Sequence, residues 1–459
     1  MADSASGPPS SDPVAAPAKS GFHLDENVVS WGRVIRAPHR VAKPAFIDEL
    51  PGLVSEFTLG EPGLATGLRR SYGDTNLNPG GRLIDMTGLD RLISFDRETG
   101  VMRGEAGVSL SQCLQVLVPQ GCFLPTTPGT RFVTLGGAVA NDVHGKNHHS
   151  KGSFGNWVRK LGLRRTDGTV REAGPGDPLF HATVGGLGLT GVIEWVEFQA
   201  VGIPSAYVEA EDIAFRNVRE YFDLMAAKKD LFEHTVCWID CLAGGEALGR
   251  GIFSGGNWSG KGGYASHQEE PKKKMPIDAP SFALNPLSVT AHNVFRNTLK
   301  STFAGRYHAH YEPFWYPLDG IANWNKLYGR KGFYQYQCVI PPATAREAVS
   351  ELLRLIAKSG QASFLAVLKD MGPIESLGLM SFPMEGTTLA LDFPNKGEKT
   401  VRLMADLDRI VGSAGGRLYP AKDGRIPTEV FRAGFPRWKD FSAHIDPGLS
   451  SAFWKRVSA

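Results

Sequence analysis

A chain of 459 residues with 42% hydrophobic and 21% charged side chains has an ordinary globular composition, and it is too long for one hydrophobic core. Its 50 Lys plus Arg against 47 Asp plus Glu leave a net charge of +3, too even to imply nucleic-acid binding. The five cysteines are odd in number and include no C-x-x-C pair, so neither a disulfide framework nor a zinc site is indicated, and no apolar run approaches a membrane span.

Residues 1–25 read as a disordered tail. The first twenty are rich in Ala, Ser, Pro and Gly, with Lys19 as their only base, and they lack the basic start and apolar block of a secretory signal. From about Val28 to residue 200, short strands alternate with Gly-rich turns. Residues 81–86 and 100–107 read as strand and hairpin, and Leu92–Asp96 alternates as a half-buried strand does. Ser109 is placed to cap a helix from Leu110 to about Leu117, with Gly121 just beyond it. Val192–Phe198 alternates again before Gly202-Ile203-Pro204 breaks the pattern.

Residues 205 to about 418 carry more aromatics and longer helical patterns, predicting helices over 345–359, ended by Gly360, and over 400–411. The least regular stretch is 254–287, with two Gly pairs and Lys272-Lys273-Lys274 between prolines. It reads as a mobile surface loop, its basic triplet more often a solvated turn than a docking site.

Three Gly-rich segments carry the candidate chemistry. In Thr66-Gly67-Leu68-Arg69-Arg70-Ser71-Tyr72-Gly73-Asp74, two glycines bracket a turn whose backbone N–H groups, hydroxyls and guanidinium groups can cradle an anion. In Thr127-Pro128-Gly129-Thr130-Arg131 and 134–146, small residues let a planar ligand lie on the backbone, with His144 and Lys146 beside it. The bland alternatives, a surface turn and a close-packed crossing, stay open at this level. His144, His148 and His149 have no carboxylate or thiol at ligand spacing, so no metal is expected. The third segment holds a formal G-x-G-x-x-G at Gly186, Gly188 and Gly191. Strand-like alternation follows at Val192 where a helix should open, so a nicotinamide-binding Rossmann domain is the weaker reading.

These segments, in this order, resemble the two-subdomain FAD-binding unit of the vanillyl-alcohol oxidase superfamily, and within it the decaprenylphosphoryl-β-D-ribose 2'-oxidase family. The similarity runs from Trp31-Gly32-Arg33 almost to the C-terminus. It is densest at 70–74, at His144-Gly145-Lys146-Asn147-His148-His149 and at Gly152-Ser153-Phe154-Gly155-Asn156. It continues through 182–186, Tyr316-Pro317-Leu318-Asp319, Gln335-Tyr336-Gln337, Asp392-Phe393-Pro394, 416–419 and Ala421-Lys422-Asp423.

The resemblance implies an α+β fold. A two-subdomain FAD-binding domain would begin at 26–203, an antiparallel-sheet substrate domain with helices would fill 204–416, and 417–459 would return to the FAD-binding domain. Non-covalent FAD is expected, because Arg70 stands where many members carry the His that links the flavin. Cofactor contacts are implied at Gly67, Arg70, Ser71, Tyr72, Gly73, Asp74, Pro128, Gly129, Thr130 and Thr134. They continue at Gly136, Gly137, Ala140, Asn141, His144, Gly145, Asn147, Gly188, Ile193 and Tyr419. Substrate contacts are implied at Tyr72, Lys146, Trp238, Tyr316, Gln335, Gln337, Lys369, Ala390 and Lys422. Lys422 is the first candidate for a group acting at the flavin and the substrate hydroxyls, followed by His144 and Lys146.

The expected reaction is oxidation of the C2 hydroxyl of a polyprenyl-phosphoryl pentose to a keto intermediate, which a separate short-chain NAD(P)-dependent reductase would turn into the epimer. Oxidation of a soluble sugar, alditol or aldonolactone is the alternative. A cytoplasmic place, peripheral at the inner membrane, is expected, and export alongside a partner stays open. The sequence departs from the family pattern at Thr66 (commonly Arg), Arg69 (usually Gly) and Leu187 (expected Asn). At Ala390, family members carry the cysteine that covalent nitroaromatic inhibitors attack, so such compounds should act here weakly or only reversibly.

Overall fold

The computed structural model describes residues 21–459 apart from 270, 272, 281–284, 303, 362 and 363. Of the tail expected at 1–25, residues 1–20 lie outside the described residues, as does Lys272 of the basic triplet, whereas His23–Asp25 already belong to a strand, His23–Val29, paired with Arg36–Ala42. Three sheets organise the chain. A four-stranded sheet runs in the order His23–Val29, Arg36–Ala42, Arg82–Asp85, Gly63–Thr66. An antiparallel five-stranded sheet follows in the order Leu92–Asp96, Val101–Glu105, Val192–Gln199, Val158–Arg164, Val170–Ala173. Local signals specify several of these boundaries. Ser109 Oγ accepts from Gln112 N at 3.1 Å while Gln112 Oε1 accepts from Ser109 N at 2.8 Å, so the helix Leu110–Leu117 opens with a reciprocal cap.

The alternation of Val192–Gln199 does not mean a half-exposed strand. It sits in the middle of its sheet with both faces covered, and buried Glu194 is satisfied by Arg164 Nε at 2.6 Å.

The third sheet has eight strands, in the order Gly305–His310, Tyr207–Phe215, Gly251–Trp258, His234–Ile239, Ala366–Met371, Gly386–Pro394, Phe333–Ile340, Arg417–Leu418. Its two-residue period sorts side chains onto two faces. Cys237, Cys338, Leu368, Leu389 and Leu391 join the core formed with the helices Pro342–Ser359 and Glu398–Ser413. Trp238, Gln335, Gln337, Lys369 and Ala390 occupy the alternate positions and line a cavity.

The irregular stretch begins later than the sequence suggests, because residues 254–258 complete the strand Gly251–Trp258. The glycine pair there serves ring packing. A Cβ on Gly255 would meet the Phe232 ring at 2.5 Å and one on Gly256 the Phe314 ring at 2.7 Å. Further on, Lys273–Lys274 pair in parallel with Ile321–Ala322, and a helix Pro286–Thr302 starts at the far end of the stretch.

Arg417–Leu418 still belong to the large sheet. Beyond them the chain turns back to the first one. Leu449 bridges Gly63, and the Arg456 guanidinium donates to both oxygens of buried Asp74 at 2.9 and 3.1 Å.

Candidate active site

A cavity of about 770 Å³ lies between the Gly-rich turns and the open face of the eight-stranded sheet, a size typical of cofactor and ligand clefts (about 300–1,000 Å³). Its first wall is backbone. Gly67 must be glycine, since a Cβ there would stand 2.2 Å from Thr134 Oγ1. That same oxygen accepts from Gly137 N at 3.2 Å and caps the short helix Leu135–Ala140. Gly136, Gly137, Ala140 and Asn141 present this helix to the cavity, and Gly145, Gly188 and Ile193 extend the surface. Pro128, Gly129, Thr130, Ser71 and Tyr72 line it too. Arg70 stacks its guanidinium 4.0 Å over the Trp31 ring and donates from Nε to Phe132 O at 3.2 Å. Tyr419 closes this side, its hydroxyl donating to Asn141 O at 2.9 Å.

The second wall concentrates cations. Lys422 Nζ sits 4.1 Å from the Tyr72 ring centre and makes no hydrogen bond among the described residues; burial brings its pKa down to about 8, against the opposing pull of Asp392. Asp392 itself is pushed up to about 7 by burial, although Gln335 Nε2 and Tyr328 Oη donate to it at 2.7 and 3.1 Å. Lys146 donates to Phe314 O and lies 4.5 Å from that ring, its pKa lowered to about 8 by burial.

Lys369 Nζ donates to Gly145 O at 2.7 Å and meets His144 Nδ1 at 2.9 Å; burial lowers its pKa to about 7, helped by the Lys146 charge. His144 is held well below the usual range by burial, then by the Lys369 charge. Its Nε2 lies 3.1 Å from Gln337 Nε2. An amide nitrogen only donates, so in this arrangement Nε2 accepts, Nδ1 carries the ring proton, and Lys369 receives it as a neutral amine. Turning the amide over reverses both roles and lets Lys369 donate as an ammonium. His144 and Lys369 thus form a proton-sharing pair in the cavity wall.

Residues 38–174 match the FAD binding domain family. Over 410 residues the chain is 38% identical to the decaprenylphosphoryl-beta-D-ribose oxidase of Mycolicibacterium smegmatis, covering 84% of this chain and 86% of that protein. The chain belongs to the decaprenylphosphoryl-β-D-ribose oxidase family of FAD-dependent oxidoreductases. It is also 31% identical over 365 residues to a Streptomyces coelicolor protein described only by its place in the mprA 5' region, covering 75% of this chain and 97% of that one. Identity to the L-gulono-1,4-lactone dehydrogenase of Mycobacterium tuberculosis is 27% over 209 residues, covering 45% of this chain and 48% of that one.

The polar atoms of the first wall fit the cofactor of this oxidase family. Thr66 Oγ1, Thr75 Oγ1, both amide atoms of Asn76 and Asn141 Oδ1 are buried and have no hydrogen-bond partner among the described residues, and all four residues line the cavity. Each such orphan costs roughly 1–3 kcal/mol, a cost that the phosphates, ribityl hydroxyls and ring edge of FAD can remove. Thr75 and Asn76 are absent from the sequence-based expectation. Their signal was position, directly after Gly73-Asp74 in the same turn. Thr388, two residues before Ala390 on the same strand face, also lines the cavity and was equally missed, as were Asp319 and Arg296.

Four expected contacts stand behind the lining instead. A Cβ on Gly73 would fall 1.3 Å from Asp423 O, so this glycine exists for backbone-to-backbone contact with the Lys422 segment. Asp74 is clamped by Arg456. Asn147 accepts from Thr126 Oγ1 at 2.9 Å and donates to Pro125 O at 2.8 Å, and the Tyr316 hydroxyl lies 2.7 Å from Thr127 Oγ1. All four position the turns that do reach the cavity.

Two departures from the family pattern stand at backbone positions that suit the residues they replace. Arg69 and Leu187 line the cavity at φ of 51° and 58°, the left-handed region that glycine and asparagine favour. A side chain held there costs roughly 1–2 kcal/mol of local strain.

Proposed function

We propose that this FAD-dependent oxidoreductase oxidises the C2 hydroxyl of a polyprenyl-phosphoryl pentose, of the decaprenylphosphoryl-β-D-ribose type, to a 2-keto sugar. The observation that carries the reading is the meeting of Lys146, Lys369 and Lys422 with the Gly-rich turns in a single cavity, in a chain similar to that oxidase over most of its length. FAD, held without a covalent link because Arg70 replaces the linking histidine, supplies the hydride acceptor when bound.

The chain's own residues handle the proton. Lys422 Nζ, neutral above about pH 8, accepts it from the substrate hydroxyl as the carbon gives up its hydride. Lys369 and His144 hold a second proton-sharing pair within the same wall, able to steady an adjacent hydroxyl. Gln335 and Gln337 supply neutral hydrogen-bonding groups that orient a sugar, and Tyr72 covers the Lys422 ammonium. A separate short-chain NAD(P)-dependent reductase would reduce the keto product to the arabinose epimer.

No helix among the described residues is long and apolar enough to cross a membrane. Peripheral contact is supported by the helix Pro286–Thr302, whose sequence has no acidic residue and which exposes Leu287 (80%), Val294, Phe295 (65%) and Leu299. This suits an enzyme working against the inner leaflet on a lipid phosphate.

The test is a visible spectrum before and after acid precipitation, followed by anaerobic addition of a polyprenyl-phosphoryl ribose. Yellow colour released by acid and bleached by that lipid is the expected result. The partial similarity to L-gulono-1,4-lactone dehydrogenase favours a second reading, oxidation of a soluble sugar, alditol or aldonolactone. Bleaching by free sugars alone selects it.

A further inference from the structure

The helix Pro286–Thr302 turns one side chain into the cavity with nothing to hold. Arg296 lines the wall, with its guanidinium carbon 5.0 Å from the Trp238 ring centre, and it makes no hydrogen bond or ion pair with any described residue. The other arginines of the lining are engaged. Arg69 pairs with Asp85 at 3.3 Å and Arg70 donates to a carbonyl. Asp212 lends Arg296 some attraction from a distance, while Ser254 and Tyr307 bond it at 2.6 and 3.2 Å. A guanidinium offers five donors, and one leaned against an aromatic face in a partly dry wall is preorganised for a tetrahedral oxyanion.

Its place along the sheet defines which anion. Trp238 pairs with Val367, and Lys369 lies two residues further along that strand, about 7 Å away on the same face. An anion on Arg296 therefore shares the cavity with the Lys369 and His144 pair proposed above to steady a sugar hydroxyl. Leu299, one turn along from Arg296, is exposed, with Phe295, Val294 and Leu287 exposed further round the helix, and a prenyl chain can leave over them.

We propose that Arg296 binds the phosphate that joins sugar to lipid, and so distinguishes a phosphorylated pentose from a free one. This rests on the function proposed above and names the specificity-determining residue of that site.

The experiment compares holoenzyme with Arg296→Gln and Arg296→Lys, each checked for an unchanged flavin spectrum and melting temperature. The assay uses farnesylphosphoryl-ribose as substrate, with farnesyl phosphate and inorganic phosphate as inhibitors. The expected result is a rise in KM of about 10- to 100-fold in R296Q with a much smaller change in kcat, and partial recovery in R296K. Inhibition by farnesyl phosphate alone, lost in R296Q, assigns the subsite to lipid phosphate. Equal inhibition by both anions, lost in R296Q, assigns it to any phosphate. An unchanged KM and unchanged inhibition in R296Q overturn the proposal. A wild-type enzyme that ignores farnesylphosphoryl-ribose refutes the proposed function instead, and direct binding of farnesyl phosphate followed by flavin fluorescence, present in wild type and lost in R296Q if the proposal holds and unchanged in R296Q if it fails, still decides on Arg296.

Discussion

Lys422→Met separates the proposed role of this lysine from its energetic cost. Lys422 Nζ lies against the Tyr72 ring, makes no hydrogen bond among the described residues and feels Asp392, and burial lowers its pKa from 10.5 to about 8. The folded pKa lies below the unfolded one, so between about pH 8 and 10.5 the unfolded chain binds more protons and stability rises with pH. Below pH 8 the buried ammonium carries its full penalty. A fall of about 2.5 in pKa corresponds to about 3 kcal/mol. Solvent in the open cavity screens part of this, and the lost cation–π contact offsets about 1 kcal/mol more.

Flavin-free K422M is therefore expected to be about 1–2 kcal/mol more stable than wild type at pH 7. The gain should vanish by pH 10.5 in urea denaturation run at both values. Holoenzyme reduction by substrate should meanwhile slow by about 10²–10⁴. In wild type that rate should climb through about pH 8 and then level off, because only the neutral amine accepts a proton. A stability difference equal at both pH values, or a K422M protein less stable at pH 7, would refute the reasoning.

Gly73→Ala should be among the most damaging single changes. Its Cβ cannot coexist with Asp423 O, so the turn must part from the Lys422 segment that Tyr72 N, donating to Ala421 O at 2.9 Å, joins to it. A loss above about 4 kcal/mol, read as a lower denaturant midpoint with loss of bound flavin, is expected. Membrane contact is tested by Leu287→Ser with Phe295→Ser in flotation on anionic phospholipid vesicles. Binding at least about tenfold weaker, with the flavin spectrum unchanged, is the expected outcome.

Local chemistry was legible wherever one short segment contains its own cause. The Ser109 cap, Gly360 ending the helix Pro342–Ser359 at φ of 61°, and the strand Leu92–Asp96 all lie where spacing places them. The feature that excludes a Rossmann fingerprint is local as well, because Val192–Gln199 is a strand where a helix would have to open. The glycines at 255 and 256 misled, since their role is defined by Phe232 and Phe314 from other segments. Gly73 and Asp74 were assigned to the ligand for the same reason, as Asp423 and Arg456 approach from the far end of the chain.

The sequence by itself determined the periodicities, the turn chemistry of the Gly-rich segments and the residue types that make FAD chemistry recognisable. Tertiary structure alone decided that His144 and Lys369 stand within hydrogen-bond distance, that Thr75 and Asn76 face the cavity with no hydrogen-bond partner among the described residues, and that Arg296 points inward. The physical reason is that spacing along the chain encodes which face a side chain takes. Desolvation, hydrogen-bond partners and pKa depend on what distant segments lay over that face once the chain has closed.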